Sequence, residues 1–582
     1  MLEKLTLFIV FFFLHHVYGQ SVIEVSATRL KDYDPYQNLT VEILNDQFEQ
    51  QKYSNAHQIF KELVGISTNE TFLQLFLRGG ETYHTLVMVD GVRLNDPSLP
   101  NRSFDLNQLR FLDIKKIKIF KGPSAALFGE GISGAIVIET KTGKQQKTNI
   151  VTGYGSYQKY LVALNTGVQK EKLQYFMQTN YETQEGKTQK NSPTGKDEKD
   201  AKKFTQIGFN TQYDLSSRYR VGLLTKLNND YQEIDSWQGD QSGYYNQNKM
   251  MMGKLNFDFE FNKEIDSNSF SYNYSNHHRF TNDDWQKKFK SEIHVLKFQS
   301  KLRLSDYQHL TGELTFKQEK DLSPGSRTQR TKNNENDFAF IHAVSFFPVE
   351  TTYSFRFTRN EMKSDLMNFF VRNTVAIFKL LIVGYQFGNS HQIPSLYQLS
   401  DIGYGNPDLK IEQSQSYEAF FQIKKVGFSY QQSFYLTRIK DRFSYDPQTY
   451  QTLNGDRAEI RGIESTVAFQ AESGVEFGTS YERLMTFAYE TKKQLPRRPA
   501  YKHSGYIKIS EFSLRGMWVG RSDDLDGVNS SYYDCDFLYQ KNLSKNLTVT
   551  VSVNNLLNHH YYEVLGYSSK ERTFFMQFEG KI

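Results

Sequence analysis

The stretch from Leu75 to Lys141 constrains the fold most, because short apolar runs are separated there by glycine-rich turns. The runs Leu86–Val89, Ile114–Phe120 and Ala135–Thr140 repeat apolar residues at intervals close to two, which predicts strands. Glycine and proline are typical of positions where a backbone bends tightly or approaches another segment closely. We therefore predict a small mixed sheet with many loops and little helix. The turns are Arg78-Gly79-Gly80, Asp90-Gly91, Lys121-Gly122-Pro123 and Gly129–Gly134.

Composition and hydropathy narrow the fold class of the whole chain. Aromatic residues make up 15% of the 582 residues, with 46 Phe and 37 Tyr, yet mean hydropathy is negative at −0.61. Beyond the N-terminal apolar run, no run approaches the ~20 residues that a membrane-spanning helix needs. A transmembrane β-barrel combines these properties, because apolar side chains face lipid and polar side chains face the lumen. A large soluble β-propeller or sandwich is the alternative.

Residues 144–582 have the pattern of one long series of strands and loops. Asn546–Asn554 is the clearest strand, since its leucine and valines alternate with threonine and serine. Thr573–Ile582 alternates in the same way at the C-terminus. At ~20 residues per strand and loop this region accommodates about 22 strands, and periodicity alone permits roughly 18 to 24. We expect a closed barrel, because lipid cannot satisfy an open sheet edge.

The N-terminal residues have the features of a targeting segment. Lys4 precedes the continuous apolar run Leu5–Leu14, and Val17 and Gly19 fit the positions before a cleavage site. We predict a signal peptide over residues 1–19, with cleavage before Gln20; a buried N-terminal strand is the alternative. Residues 20–40 follow as an alternating segment and a polar linker.

The stretch from Leu75 to Lys141 resembles the plug domain of TonB-dependent outer-membrane receptors. The matching pieces are Arg78-Gly79, the strand and turn LVMVDGVRLN, and the segment IKKIKIFKGPSAALFGEGISGAIVIETK, in family order. Arg461-Gly462-Ile463-Glu464 and the passage Phe387–Glu418 resemble barrel motifs of the same family. The resemblance implies an all-β transmembrane barrel of about 22 antiparallel strands with an N-terminal α+β plug domain, residues 41–143, inside the lumen.

The resemblance also implies an outer-membrane active transporter of a Gram-negative bacterium. It would import a ferric siderophore or cobalamin; a passive channel or a surface adhesin on the same barrel is the alternative. The expected partners are the TonB periplasmic domain, outer-membrane lipid and lipopolysaccharide, and the barrel-assembly machinery that reads the final strand. TonB would capture an accessible extended segment by strand addition. The predicted TonB box is Val22, Ile23, Glu24, Val25, Ser26 and Ala27.

Family motifs also suggest how the plug is held. By motif position, the plug cations Arg78 and Lys121 would pair with the barrel carboxylates Glu418 and Glu464. Such pairs would form a polar, breakable interface. The family often has arginine at the position of Lys121, so a bidentate contact is lost there and the lock is expected to be looser.

Polar and aromatic residues on predicted outward loops are candidates for substrate contact. Plug loops and long barrel loops should face the extracellular side, where long loops concentrate. The predicted substrate-binding residues are Tyr83, His84, Asn101, Arg102, Phe104, Trp237 and Tyr244.

The sequence contains no convincing catalytic constellation, so we predict that the chain is not an enzyme. It has no nucleophile elbow, no HExxH and no CxxC. Net charge is +5 with both signs interspersed, which argues against nucleic-acid binding. No cofactor is expected apart from calcium, for which Asp230, Asp235 and Asp240 in a predicted loop over Asn228–Asn248 offer oxygen ligands. A solvated acidic loop is the alternative.

Overall fold

The computed structural model describes fourteen parts of the chain, and every structural statement below refers to them. The predicted signal peptide and the predicted TonB box lie outside these residues. The described ranges are 41–44, 56–69, 74–145, 147–186, 199–235, 242–262, 266–284, 287–324, 331–378, 380–446, 448–455, 457–525, 527–568 and 571–582.

The N-terminal unit contains the strands β1 (Val41–Leu44), β2 (Ile66–Asn69), β3 (Gln74–Leu77), β4 (Thr85–Val89), β5 (Val92–Arg93), β6 (Ile114–Lys121) and β7 (Gly134–Thr140). Five of them form a mixed sheet in the order β1-β6-β7-β4-β5, and β2 and β3 form a separate hairpin. Only the β4–β7 pair is parallel among these strands. Among the described residues of this unit, helix is limited to α1 (Ala56–Glu62) and to short 3-10 helices at Thr82–His84, Leu106–Gln108, Phe111–Asp113, Gly122–Phe128 and Gly143–Gln145. In the described part of the chain, no helix has the length and apolar character to span a membrane.

The second unit is a closed barrel of 22 antiparallel strands, whose last strand, Thr573–Lys581, pairs with its first, Thr148–Gly155, to close the wall. Six short strands form three hairpins in its loops, and α2 (Leu396–Ser400) lies in another loop. The first strands are β8 (Thr148–Gly155), β9 (Lys159–Lys170), β10 (Leu173–Gln184), β11 (Lys202–Asp214), β12 (Tyr219–Glu233), β13 (Tyr245–Phe259), β14 (Asp266–Asn282), β15 (Lys288–Ser305), β16 (Gln308–Asp321), β17 (Lys332–Phe346), β18 (Val349–Asn360), β19 (Leu366–Ile377), β20 (Leu381–Gln392) and β21 (Glu412–Lys425). The remaining strands are β22 (Phe428–Lys440), β23 (Phe443–Asp446), β24 (Gln451–Asn454), β25 (Arg457–Gln470), β26 (Glu476–Ala488), β27 (Tyr501–Ile509), β28 (Phe512–Val519), β29 (Ser522–Asp524), β30 (Gly527–Asn529), β31 (Tyr532–Ser544), β32 (Leu547–Asn554), β33 (Tyr562–Val564), β34 (Tyr567–Ser568) and β35 (Thr573–Lys581).

Side-chain alternation explains why these sequences form a barrel around a plug. In β28, Phe512, Leu514 and Trp518 are exposed on the outer surface, while Ser513 and Arg515 are buried in the lumen. The same alternation in the other strands presents apolar residues to lipid and polar residues to the plug. The prediction of a lipid-embedded barrel of about 22 strands with an N-terminal plug is therefore confirmed.

Loop lengths define the two ends of the barrel. Turns such as Glu171-Lys172, between β9 and β10, are short at one end, whereas the opposite end carries long connections such as the one from β20 to β21. Long loops of such barrels are extracellular and short turns are periplasmic. One predicted loop is corrected: Asn228 and Asp230 belong to β12, which runs to Glu233, because the polar lumen-facing residues of a barrel strand resemble a loop in sequence.

Candidate functional site

Arg78 lies at the centre of the plug–barrel contact. It follows β3 in the left-handed backbone region, with φ 47°, and this bend directs its guanidinium out of the plug. Its Nη1 and Nη2 donate to the two oxygens of Glu418 at 2.8 and 2.9 Å. Its Nε and Nη2 donate to Glu464 at 2.9 and 3.3 Å. The planar guanidinium group of Arg78 therefore joins the plug to two strands of the barrel wall, β21 and β25.

Lys121 adds a second cation to the same group. Its Nζ donates to Glu464 at 3.1 Å and to the backbone carbonyl of Val64 at 2.6 Å. The ammonium makes one contact with the carboxylate, where a guanidinium could make two. The structure thus brings together the four residues proposed as a lock, and "the lock" below means Arg78, Lys121, Glu418 and Glu464.

The side chains around the lock enclose it and make further contacts with its charged groups. The amide of Gln386 donates to Glu418 at 2.6 Å, and the guanidinium of Arg78 lies 4.2 Å from the ring centre of Tyr435. Burial lowers the pKa of Arg78, but the nearby Glu418 and Glu464 outweigh it and raise that pKa well above its ordinary value. Arg78 therefore stays charged, and removing one of its partners would leave a buried charge unpaired.

Two glycines allow the lock to form. Gly65 has φ +77°, and a Cβ there would lie 2.2 Å from Oε1 of Glu464. Gly122 has φ +56°, and a Cβ there would lie 2.9 Å from Nη1 of Arg78. Both positions combine a backbone conformation that favours glycine with a close approach of a lock side chain.

A second group of contacts lies just after Arg78 in the chain. Glu81 accepts from Arg498 at 2.6 Å. The Nδ1 atom of His84 accepts from the backbone N–H of Glu81, so the ring proton lies on Nε2 and is donated to Glu412 at 2.7 Å. The hydroxyl of Tyr83 also donates to Glu412, at 3.1 Å. Residues 78–84 are therefore bound both to the lumen wall and to segments next to extracellular loops.

Three of the predicted substrate-binding residues have buried side chains. His84 is fully buried against Glu412, and Arg102 is buried and donates to Glu319 at 2.5 Å. Phe104 packs in the apolar core of the plug. All three side chains are therefore buried, and substrate contact by them stays a prediction.

The other members of the predicted substrate set are partly described. Tyr83 is half-buried at the Glu412 contact, and Asn101 is exposed and accepts from the hydroxyl of Ser103. The hydroxyl of Tyr244 donates to Asp284. Trp237 lies outside the described residues. Substrate contact by the set stays a prediction.

A cavity of about 200 Å³ lies between the plug and the barrel wall towards the long-loop end. None of the described residues of the predicted substrate set lines it. Its lining combines aromatic rings with charges of both signs, and at this volume it could enclose only part of a bulky ligand. Sequence inspection missed it because its walls come from strands at both ends of the barrel sequence. Residues that line it include Arg110, Lys159, Phe204, Tyr561, Phe574 and Phe575.

The predicted calcium ligands do not form a group in the described part of the chain. Asp230 is buried in the lumen wall within β12, Asp235 follows the strand, and Asp240 lies outside the described residues. No cluster of three His, Cys, Asp or Glu side chains able to hold a metal occurs among the residues described.

A closed 22-strand barrel whose lumen holds a folded unit fixed by buried ion pairs defines a plugged outer-membrane receptor. Residues 32–136 match the TonB-dependent receptor plug domain, and residues 142–556 match the TonB-dependent receptor-like β-barrel. The chain therefore belongs to the TonB-dependent receptors, a family of transporters and receptors in the outer membrane of Gram-negative bacteria.

Relatives cover nearly the whole chain. The vitamin B12 transporter BtuB of Vibrio cholerae serotype O1 is 23% identical over 597 residues, 96% of this chain and 95% of BtuB. The structure of the siderophore receptor PirA from Acinetobacter baumannii has a TM-score of 0.79 at 15% identity, covering 94% of this chain and 98% of PirA. The ferric enterobactin receptor PfeA from Pseudomonas aeruginosa has a TM-score of 0.79 at 15% identity, with 94% and 99% covered. At these identities the structural matches show a shared fold.

Proposed function

We propose that this protein is an active importer of a scarce, bulky chelate, either cobalamin or a ferric siderophore, energised through TonB. The observation that carries the proposal is the plug held inside the barrel by the lock. Buried ion pairs are close to energetic balance, because the desolvation of the charges offsets their attraction. Such contacts suit a plug that must stay seated at rest and yet rearrange when force is applied.

The source of the force is expected at the N-terminus. Residues Val22–Ala27 precede the plug and alternate apolar with polar residues in sequence, and we propose that a partner sheet binds them along its edge. A pull on this segment would act on the plug, whose residues 78–84 contact both the lock carboxylates and Glu412. Disturbing these contacts would open a path between the plug and the wall.

The substrate class is supported by chemistry and by relatives. Cobalamin and ferric siderophores are large and polar, and the aromatic and charged lining of the cavity towards the extracellular end could contact part of such a ligand. BtuB, named for vitamin B12 transport, aligns along 96% of this chain, whereas the structural neighbours named above are siderophore receptors. Calcium binding that involves Asp230, Asp235 and Asp240 stays a proposal, in which the ion would lie where the buried end of β12 meets the segment that follows it. It predicts that uptake falls when calcium is chelated.

The test compares two substitutions at one position of the TonB box. Val25→Pro removes a backbone N–H and prevents strand addition, while Val25→Ala keeps the backbone donor. Cells carrying each variant are given labelled cobalamin and a panel of labelled ferric siderophores, and surface binding and uptake are measured separately. We expect Val25→Pro to bind its substrate normally but to lose uptake at least 10-fold, with Val25→Ala close to the unaltered protein.

Other results would identify the alternatives. Uptake that continues in Val25→Pro, and in cells without TonB, would indicate a passive channel. Binding of a cell or matrix surface without uptake of any chelate would indicate an adhesin. Growth rescue by a single member of the panel under iron or cobalamin limitation would name the substrate.

A further inference from the structure

A second space between the plug and the barrel lies along strands β14–β18. This space, called the inner cavity below, has a volume of about 440 Å³. One wall is the face of the plug sheet that carries the half-buried Met88 and Val137, and the other is the polar lumen side of the barrel. Barrel residues that line it include Ser269, Asn273, Lys297, Gln299, Glu313 and Lys317.

The inner cavity extends towards the periplasmic end of the barrel. Lys301 of β15 lines it, and β15 ends shortly afterwards at the short turn Asp306-Tyr307. The plug turn between β4 and β5 reaches the same end, where Gly91 is exposed and the carbonyl of Asp90 accepts from Nζ of Lys254 at 2.9 Å. Short turns of such barrels are periplasmic. The inner cavity is therefore next to the compartment into which an imported substrate is released.

The polarity of its lining indicates that the inner cavity holds water. Both ring nitrogens of His391, Oδ1 of Asn273 and Oδ1 of Asp337 are buried and have no hydrogen-bond partner among the described residues. Buried polar groups almost always bond to protein or to water, and a polar space of this size has room for water. The inner cavity therefore has the character of a hydrated passage rather than of an apolar packing gap.

One segment of the plug closes the inner cavity on its extracellular side. This segment, residues 93–103, is called the roof below, and it makes a polar contact with each of the adjacent strands β14, β15 and β16. The contacts are Ser275 Oγ to the Arg93 carbonyl at 2.9 Å, Ser291 Oγ to Asp96 at 2.6 Å, and Arg102 to Glu319 at 2.5 Å. On each strand the contact lies nearer the long-loop end than the residues that line the cavity.

Glu130 joins the roof to the rest of this seal. Its carboxylate pairs with Arg93 of the roof and with Lys317 of β16, the latter at 2.7 Å. Lys317 also pairs with Glu335 of β17 at 2.8 Å. The seal is charged and polar, so water from the inner cavity can replace its contacts when they separate.

Other parts of the plug surface are held to the wall by apolar packing. Ile132 lies in a cluster with Ile439 of β22 and Leu484 of β26, and Leu224 of β12 and Met252 of β13 pack against the plug core. No described residue of β14, β15 or β16 belongs to an apolar cluster shared with the plug. Separating apolar surfaces exposes them to water, which opposes their movement. The plug can therefore leave the wall most easily at the roof.

We propose that the chelate passes to the periplasm through the inner cavity and that the roof is the gate that admits it. The inference rests on the proposed function, the import of a bulky chelate, and adds the side of the barrel along which the chelate leaves. Tension on the N-terminus would shift the roof away from β14–β16. The resting cavity of about 440 Å³ encloses only part of a bulky chelate, so the roof must move before a whole one fits.

The gate is tested by tying the roof to the wall. In a Cys535→Ser background, the pair Asp96→Cys, Ser291→Cys is oxidised to a disulfide at the contact between these two side chains. We expect surface binding of labelled chelate to be unchanged and uptake to fall at least 10-fold, with recovery on reduction. The control pair Thr140→Cys, Asn210→Cys ties the plug sheet to β11, where the two side chains are 3.4 Å apart, and should retain most of its uptake.

The outcomes separate the gate from the proposed function. Continued uptake by the oxidised roof pair would overturn the inference. Equal loss of uptake in both oxidised pairs would also overturn it, because the whole plug would then have to move. Failure of the unaltered protein to import any chelate of the panel would overturn the proposed function, and the inference with it.

The route is tested separately and without a tether. Ser269→Cys places a thiol in the inner cavity, and Gln212→Cys places one on the lumen side of β11, outside the lining. Both native side chains are half-buried near the short-turn end. Each variant, in the Cys535→Ser background, is modified in whole cells with a maleimide that enters through porins, and uptake is compared before and after modification.

Only the modification in the inner cavity should stop uptake. We expect modified Ser269→Cys to bind chelate at the surface but to lose uptake at least 10-fold, and modified Gln212→Cys to keep it. Uptake that survives equally in both modified variants would overturn the assignment of the route, whether or not the paired variants fold.

Discussion

The interior of the plug is apolar, whereas its contact with the barrel adds buried ion pairs to apolar packing. The centre of the plug sheet is apolar, with Ile117, Ile119, Ile136 and Ile138 fully buried between strands and helix. The contact with the wall combines buried ion pairs such as the lock with apolar clusters that join plug residues such as Phe120 to barrel residues such as Phe370. The plug is therefore a folded body attached in part by polar contacts that can exchange partners.

The two kinds of contact respond differently to disturbance. Burial of apolar side chains stabilises the plug in proportion to the apolar area that is removed from water. A buried ion pair gains little over separated, hydrated charges, but one charge left alone is strongly destabilising. Movement of the plug as a unit, with water entering the interface, is therefore easier than unfolding of the plug sheet.

The largest effect is expected from removing the cation at the centre of the lock. Arg78→Ala leaves Glu418 and Glu464 facing each other without their main partner, which should cost about 3–5 kcal/mol of plug docking. Hydrogen exchange of plug amides would show this as loss of protection. The matched variant Arg78→Met, Glu418→Gln keeps the Lys121–Glu464 pair balanced and should recover most of it. If the double variant is as unprotected as the single one, the lock is not held by charge pairing.

A change in the plug core should cost somewhat less and should not be recoverable in this way. Ile117→Ala opens a cavity in the fully buried sheet and is expected to cost about 3 kcal/mol. The exchange of amides within β6 and β7 measures it. Ile207→Ala on the exposed outer surface of β11 is the control and should leave the plug unchanged. Equal protection of the plug in both variants would show that its core does not limit its stability.

A smaller effect should follow from adding a methyl group beside the lock. Gly65→Ala introduces strain at φ +77° and pushes on Glu464, for an expected loss of about 2 kcal/mol. Gly474→Ala has a similar φ of +84° but no atom within 4 Å, so it isolates the backbone strain. Only Gly65→Ala should loosen the plug and alter uptake. Identical exchange around the lock in both variants would assign the whole effect to strain.

The smallest effect is expected at the second cation. Lys121→Met removes one contact of Glu464, which keeps two hydrogen bonds from Arg78, so docking should weaken by about 1.5 kcal/mol. Chelate uptake at limiting TonB should become faster, because less work is needed to release the plug. Slower uptake would mean that Lys121 has a role other than retention.

The plug sheet and the barrel could be predicted because both leave a periodic trace in the sequence. The plug strands β4, β6 and β7 begin and end within one residue of the apolar runs that predicted them. The lock residues came from family motifs, since the pairing of Arg78 with Glu418 spans 340 residues and no local pattern encodes it. One prediction was wrong because polar residues occur both in exposed loops and on the lumen-facing side of barrel strands: the lumen-facing residues of β12 were predicted as a loop. The burial of His84 and Arg102 could not be predicted, because their carboxylate partners lie in distant barrel strands.

The hydrogen bonds between β35 and β8 have a consequence for biosynthesis. They join the most distant strands of the barrel sequence, so the wall stays open until translation has passed Lys581. The plug residues are made long before that moment. The nascent plug must therefore keep its charged surface compatible with water during export, and it meets its final carboxylate partners only as the seam is sealed around it.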